Sequence, residues 1–359
     1  MASQAVFAIA ALLLLALYKL FLQPKSGPRE AVKPDEKEKA SAPASLTIEP
    51  DTEFVLEKAE PRKLRPFKPV YHITMGVQAD TPSELITIDR DYPSRILKRR
   101  SLIETQGSTV HGCTPHGTEA VHELYTYLTT TYLPQRFPTA FHLSDDKSTL
   151  RNDILDTSIS TTPPSDGTEA IRMLGQTVEE DLFLLRETPE GHESTAFMCC
   201  FPSGFDPSTK LGKLLKEIHK PVPSYEKIGP SMERFFAKLQ VGKPVKRTNW
   251  SVQTHSDLFN CASNHINEED DYTPDESNID MSTTFLRIEL QTLTRLPKTQ
   301  AILFSFKTYM YSMQELKEEG SGPEVADAIM GLKDGNAPGM WVYKGTVRWG
   351  KAVVEYLRS

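Results

Sequence analysis

The chain has 359 residues, 41 of them Lys or Arg against 48 Asp or Glu, a net charge of −7, with 38% hydrophobic and 25% charged residues. These proportions exclude a collagenous or wholly disordered chain, and the acidic balance excludes a nucleic-acid binder, which needs a basic surface to neutralise phosphates. Four cysteines, Cys113, Cys199, Cys200 and Cys261, are too few for a disulfide scaffold and offer no CxxC pair for zinc, redox chemistry or attached haem.

Residues 5–22, AVFAIAALLLLALYKLFL, are apolar around the whole helical circumference except at Lys19. At about 1.5 Å per residue this stretch nearly crosses a hydrocarbon core, with Lys19 able to snorkel and Tyr18 at the interface. No basic residue precedes the run and no small-residue cleavage site follows it, which disfavours a cleaved signal peptide. Positive charges fall at or after its end, at Lys19, Lys25, Arg29 and Lys33, which by the positive-inside rule keeps the remainder cytosolic. The expected organisation is a transmembrane anchor over residues 1–22, a disordered Pro-rich and charged tether over 23–63, and a folded domain over 64–359.

Within the folded part, helices are expected over residues 94–102, 118–132, 170–185, 210–219 and 322–332, with another carrying Met232, Phe235, Phe236 and Leu239. Residues 144–168 are polar and contain Pro163-Pro164 and Asp166-Gly167, so they read as a long surface insertion; the acidic stretch 267–280 reads as a surface loop. Strands are expected over residues 196–201, 285–293 and 301–309, the last two as an antiparallel pair. Helices mixed with antiparallel strands, without a regular βαβ rhythm, indicate an α+β fold.

In Leu286-Arg287-Ile288-Glu289-Leu290-Gln291 the aliphatic side chains point one way and the polar ones the other. A strand face in water shows the same alternation. The functional reading is a polar row lining a cavity, where Arg287 holds a carboxylate and Glu289 orients it or accepts an ammonium. In Ile218-His219-Lys220-Pro221-Val222-Pro223, a histidine closes a helix. The helix dipole alone is sufficient reason for one there, but a rigid Pro-x-Pro exit also fixes the ring direction, as a metal or haem ligand requires. No second histidine lies at HxxxH or HExxH spacing, so a zinc protease fails. His111, Cys113, His116 and His122 have metal-compatible side chains in a Gly/Pro loop, at a spacing that matches no mechanism. Cys199-Cys200 in an apolar run reads as two small buried hydrophobes rather than a haem thiolate. The absence of GxGxxG, GxxxxGK[ST] and GxSxG leaves dinucleotide folds, P-loops and serine hydrolases without support, so nicotinamide electrons would enter through a partner protein. Asn249-Trp250-Ser251 is a glycosylation sequon, meaningful only if the domain is lumenal.

Several runs, in order, resemble the haem-dependent oxidative N-demethylase large-subunit family, also called the HRQ family, in a fungal, membrane-anchored form. They are Met75-Gly76-Val77, Ile88-Asp89-Arg90-Asp91-Tyr92, Val178-Glu179-Glu180-Asp181-Leu182 and Phe201-Pro202-Ser203-Gly204-Phe205. Lys210-Leu211-Gly212-Lys213, the His219 run through Tyr225, Arg247-Thr248-Asn249-Trp250-Ser251, the Leu286 run through Pro297, Phe304 through Tyr309, and Tyr343-Lys344-Gly345 follow. The resemblance implies a PAS-like antiparallel sheet with surrounding helices, holding haem b on a histidine. It implies oxidation of a secondary amine by O₂ with release of formaldehyde, with electrons drawn from NADPH through separate flavin and iron–sulfur subunits. On that basis His219 is the expected iron ligand and Arg247 and Asn249 are expected cofactor contacts. Arg287, Glu289 and Gln291 are expected to line the distal pocket or hold propionates. The anchor and tether resemble those of microsomal haem-thiolate monooxygenases, which makes the endoplasmic reticulum the expected membrane. The family pattern usually carries Arg where Leu290 stands, so amine specificity transfers only if that position does not touch substrate. A haem or small-molecule sensor of the same fold, without turnover, is the competing expectation.

Overall fold

The computed structural model describes residues 46–262, 264–266, 270 and 279–359, all within the unit Pro43–Ser359. In chain order the strands are β1 (Gln78–Ala79), β2 (His111–Cys113), β3 (Phe141–Leu143), β4 (Thr149–Asn152), β5 (Thr157–Ser160), β6 (Asp181–Thr188), β7 (Gly191–Met198), β8 (Val245–Gln253), β9 (Phe285–Arg295) and β10 (Ile302–Ser312). The helices are α1 (Tyr92–Gln106), α2 (Thr118–Tyr127), α3 (Leu133–Arg136), α4 (Gly167–Gly175), α5 (Leu215–Ile218), α6 (Gly229–Lys238), α7 (Met313–Glu318), α8 (Gly322–Met330), α9 (Met340–Tyr343) and α10 (Thr346–Arg358).

Seven strands form one antiparallel sheet in the order β1-β8-β9-β10-β6-β7-β2, and β3-β4-β5 form a small second sheet. The period-two pattern of β9 and β10 divides the large sheet into two unlike faces. Leu286 and Ile288, with Tyr309, Tyr311, Trp250 and Val252, pack under α7, α8 and α10. Farther across the same face, Leu182, Leu184, Ala196, Met198 and Leu303 pack under α1, α2 and α4. The opposite face has a thinner cover: Leu185 and Leu293 meet Leu215 of α5 and Phe236 of α6, and Phe183, Phe197 and Phe306 meet Phe205 and Leu211 of the segment before α5.

Gly175 ends α4 where the helix comes closest to β7: a Cβ there would stand 2.3 Å from the Met198 sulfur. Between α4 and β6 the buried Arg99 of α1 donates to the carbonyls of Gly175 and Glu179 at 2.9 Å and to Asp181 at 2.5 Å. Asp181 in turn accepts the backbone N–H groups of Cys200 and Phe201. This network stops the helix and starts the strand.

The structure supports the α+β expectation and corrects several others. Among the described residues no helix is long and apolar enough to cross a membrane, so the fold is not described with a transmembrane helix ahead of it; residues 5–22, on which that expectation rested, lie outside the described residues. The folded part begins before Leu64, because Ile48 and Phe54 are buried in the core and Phe54 meets Phe137 edge-on at 5.1 Å. Residues 170–185 are a helix and a strand, not one helix. Residues 182–185 are buried on both faces of the sheet, and a continuous apolar run gives no period by which to separate the two states. The polar stretch 144–168 contains β4 and β5, and residues 111–113, expected in a loop, are the edge strand β2. Of the acidic stretch 267–280, all but Asp270, Ile279 and Asp280 lie outside the described residues.

Candidate functional site

The thinly covered face of the large sheet carries the candidate site. Register sets its floor: Arg247 of β8 lies opposite Gln291 of β9, which lies opposite Phe306 of β10. One row along, Asn249 faces Glu289 and Glu289 faces Thr308; one row the other way, Leu293, Phe304, Phe183 and Phe197 follow one another across four strands. Residues directly opposite in an antiparallel ladder project to the same side. The result is an aromatic floor with a polar edge. Phe183 stacks on Phe197 at 5.9 Å and on Phe306 at 6.3 Å, and Phe304 lies 5.7 Å from Phe306.

His219 enters from the cover. It is the C-cap of α5, and its Nδ1 lies 2.9 Å from the Leu215 carbonyl oxygen, which can only accept, so Nδ1 carries the proton and Nε2 keeps its lone pair. Ser224 adopts a left-handed conformation (φ 61°) after the Pro221 and Pro223 turn, and the chain returns Tyr225 to stack on the imidazole at 5.0 Å and 7°. The ring is half-buried. Burial, reinforced by the positive charges of Lys210 and Arg247, holds its pKa below the usual histidine value, which keeps it neutral.

Two cations on this face make no ion pair among the described residues, although Glu289 and Asp206 act on Arg247 and Lys210 at longer range. The Nε of Arg247 is buried without a hydrogen-bond partner, and among the described residues no carboxylate lies within ion-pair distance of its guanidinium; burial lowers its pKa. The Lys210 ammonium stands 5.9 Å over the Phe205 ring, again with no hydrogen bond or ion pair among the described residues, and burial lowers its pKa too. Glu289 is 7% exposed and receives amide donors, Gln291 Nε2 at 2.9 Å and Asn249 Nδ2 at 3.4 Å. Beyond it, His265 stacks on Tyr343 at 4.4 Å, and burial pushes its pKa down to about 4. Lys344 donates to the Trp250 carbonyl and to Asn249 Oδ1, with its pKa pushed down to about 8 by burial.

The sequence-derived residues therefore separate. His219, Arg247, Asn249, Glu289 and Gln291 share one face. Arg287 is on that face as well but is 1% exposed and bound to the Phe201 and Leu258 carbonyls and to Gln253 Oε1. It ties the sheet to its cover and does not present a fork to a carboxylate, which corrects the expectation for it. Leu290 projects to the opposite face, against the helix-side core, so its departure from the family pattern does not touch this site. Among the described residues no three His, Cys, Asp or Glu side chains are placed to hold a metal ion, so the His111, Cys113 and His116 group carries no centre. Cys199 and Cys200 are buried and their thiol pKa values are raised by burial, as small core residues. A cleft of about 310 Å³ beside Arg100, β5 and Gln176 contains none of the site residues. Lys210, His265 and Tyr343 were missed as site residues. Lys210 and Tyr343 lie in the family-like runs, but no local pattern marks an ammonium as lacking a partner.

Fold and site together give an α+β domain whose lightly covered sheet face carries an imidazole with one nitrogen free, a phenylalanine cluster and two cations without ion pairs among the described residues. Residues 76–354 match the family model described as haem-dependent oxidative N-demethylase, alpha subunit-like, and the chain belongs to that family. Its residues fit the haem on which the family depends. A neutral imidazole with Nε2 available suits iron, the half-buried Phe304 at the edge of the buried phenylalanine cluster suits the face of a flat macrocycle, and the orphaned Arg247 suits an acidic substituent.

Proposed function

We propose that this chain is the haem-binding catalytic subunit of an oxidative N-demethylase-like monooxygenase, with His219 as the iron ligand and an amine as substrate. The observation that carries this reading is the His219 arrangement: Nδ1 bonded to the Leu215 carbonyl and the ring plane held by Tyr225. A carbonyl on Nδ1 fixes the tautomer and raises the basicity of Nε2, the usual outer support of a ligating imidazole. Bound haem b supplies O₂ activation.

Glu289, held by Asn249 and Gln291, accepts an N–H of the amine and presents the neighbouring carbon for oxidation. The phenylalanine floor keeps water away from that carbon. The family resemblance implies that electrons from NADPH arrive through separate flavin and iron–sulfur subunits, and the lack of a nucleotide-binding motif in this chain agrees with that. With a surrogate reductase, the haem-loaded chain should release formaldehyde from a secondary methylamine. Glu289→Gln should lower kcat/KM on the order of 100-fold while leaving the haem spectrum unchanged. Haem-loaded protein that releases no formaldehyde from any methylamine would contradict the enzymatic reading and assign the site to sensing.

A further inference from the structure

We propose that Lys210 and Arg247 together grip the two carboxylates at one edge of the bound porphyrin; the assignment rests on the haem reading above. The two cations come from opposite walls. Lys210 ends a short 3-10 turn, Pro207–Lys210, in the cover, whereas Arg247 rises from the sheet floor on β8. Lys210 stands over Phe205, which shares a cluster with Phe304, and Arg247 is two residues along β8 from Val245, which shares a cluster with Phe304 and with the Tyr225 that stacks on His219, so both cations border the patch around Phe304.

Each nearby carboxylate is already committed. Asp206 caps its own turn through Ser208 N at 2.9 Å and Ser208 Oγ at 2.7 Å. Glu233 holds His192 Nδ1 at 2.6 Å, and Glu289 holds the amides of Asn249 and Gln291. An unpaired guanidinium with a buried Nε costs stability unless something supplies an acceptor. Haem carries two propionates on adjacent positions of one edge, and two cations on opposite walls of one patch answer that pattern: Arg247 through a bidentate fork and Lys210 as a point charge. Nothing in this placement requires Arg287, whose two terminal nitrogens bond the Leu258 and Phe201 carbonyls while its buried Nε has no partner.

The test compares haemin with its dimethyl ester, in which both carboxylates are masked. Apo full-length chain is titrated with each and followed by the Soret band. Wild type should bind haemin on the order of tenfold more tightly than the diester. Lys210→Gln combined with Arg247→Gln should bind both alike, each single variant should lose part of the preference, and Arg247→Lys should keep most of it. Retained diester binding by the double variant reports that its site is still folded. Equal binding of haemin and diester by wild type, or an undiminished preference in the double variant, would overturn the assignment and leave the haem reading intact. A wild type that binds neither would overturn the haem reading and this assignment with it.

Discussion

Arg99 is wholly buried, and its charge is tolerated because Asp181 and two carbonyls receive it. Removing one member of a buried ion pair strands the other, which typically costs about 3–5 kcal/mol. Arg99→Met should lower unfolding free energy by about that amount, read from the shift in urea midpoint at constant m value; a loss below about 1 kcal/mol would show that Asp181 finds another partner. At this scale the sequence was uneven. His219 was legible because a proline-terminated turn is a local signal. Glu289 and Gln291 were legible as a polar row. Arg287 looked the same in the alternation, yet its role depends on the Phe201 and Leu258 carbonyls, far away in sequence. Lys210 matters through what it lacks, and a missing partner leaves no trace in a sequence.

At the scale of elements, a buried ionic seam joins the two halves of the helix-covered face. Lys307 of β10 contacts Asp89 at 2.8 Å and Glu179 at 2.9 Å. Beside them burial, only partly opposed by Lys307, pushes the Glu180 pKa up to about 7. A carboxyl whose folded pKa lies above its unfolded value binds more protons in the folded state, so its stabilising contribution is full below about pH 4.3 and lost as pH rises through about 7. Measured against Glu180→Gln, which keeps an oxygen for the Thr87 N–H, the wild-type Tm should therefore fall between about pH 4.3 and 7, whatever slope the buried histidines add to both proteins. An equal slope in both proteins would assign the pH dependence elsewhere. The β9–β10 pair was legible because its alternation is long and unbroken. The α4–β6 break was hidden by a run buried on both faces. The helix α10 was legible but unread: Trp349, Val353, Val354 and Leu357 repeat at helical spacing and are buried.

For the whole molecule, a sheet with one heavily covered face and one lightly covered face explains why the candidate site lies where it does. The two large apolar clusters fill the helix side, and the other side is left to phenylalanines, short helices and charged groups without partners. The α+β class could be read from the mixture of periods, whereas the start of the folded unit could not. Ile48 and the short run Phe54-Val55-Leu56 lie in a polar stretch with no helical or strand period, and the burial of Ile48 and Phe54, worth roughly 1.5–3 kcal/mol each, appears only when the core they enter is assembled. The most direct measurement of the central claim is the visible absorption spectrum of the full-length chain reconstituted with haem, compared with His219→Ala. The wild type should show a Soret band of histidine-ligated haem, and His219→Ala should lose or shift it, with added imidazole restoring the original position. A His219→Ala spectrum identical to wild type at full haem loading would contradict the account.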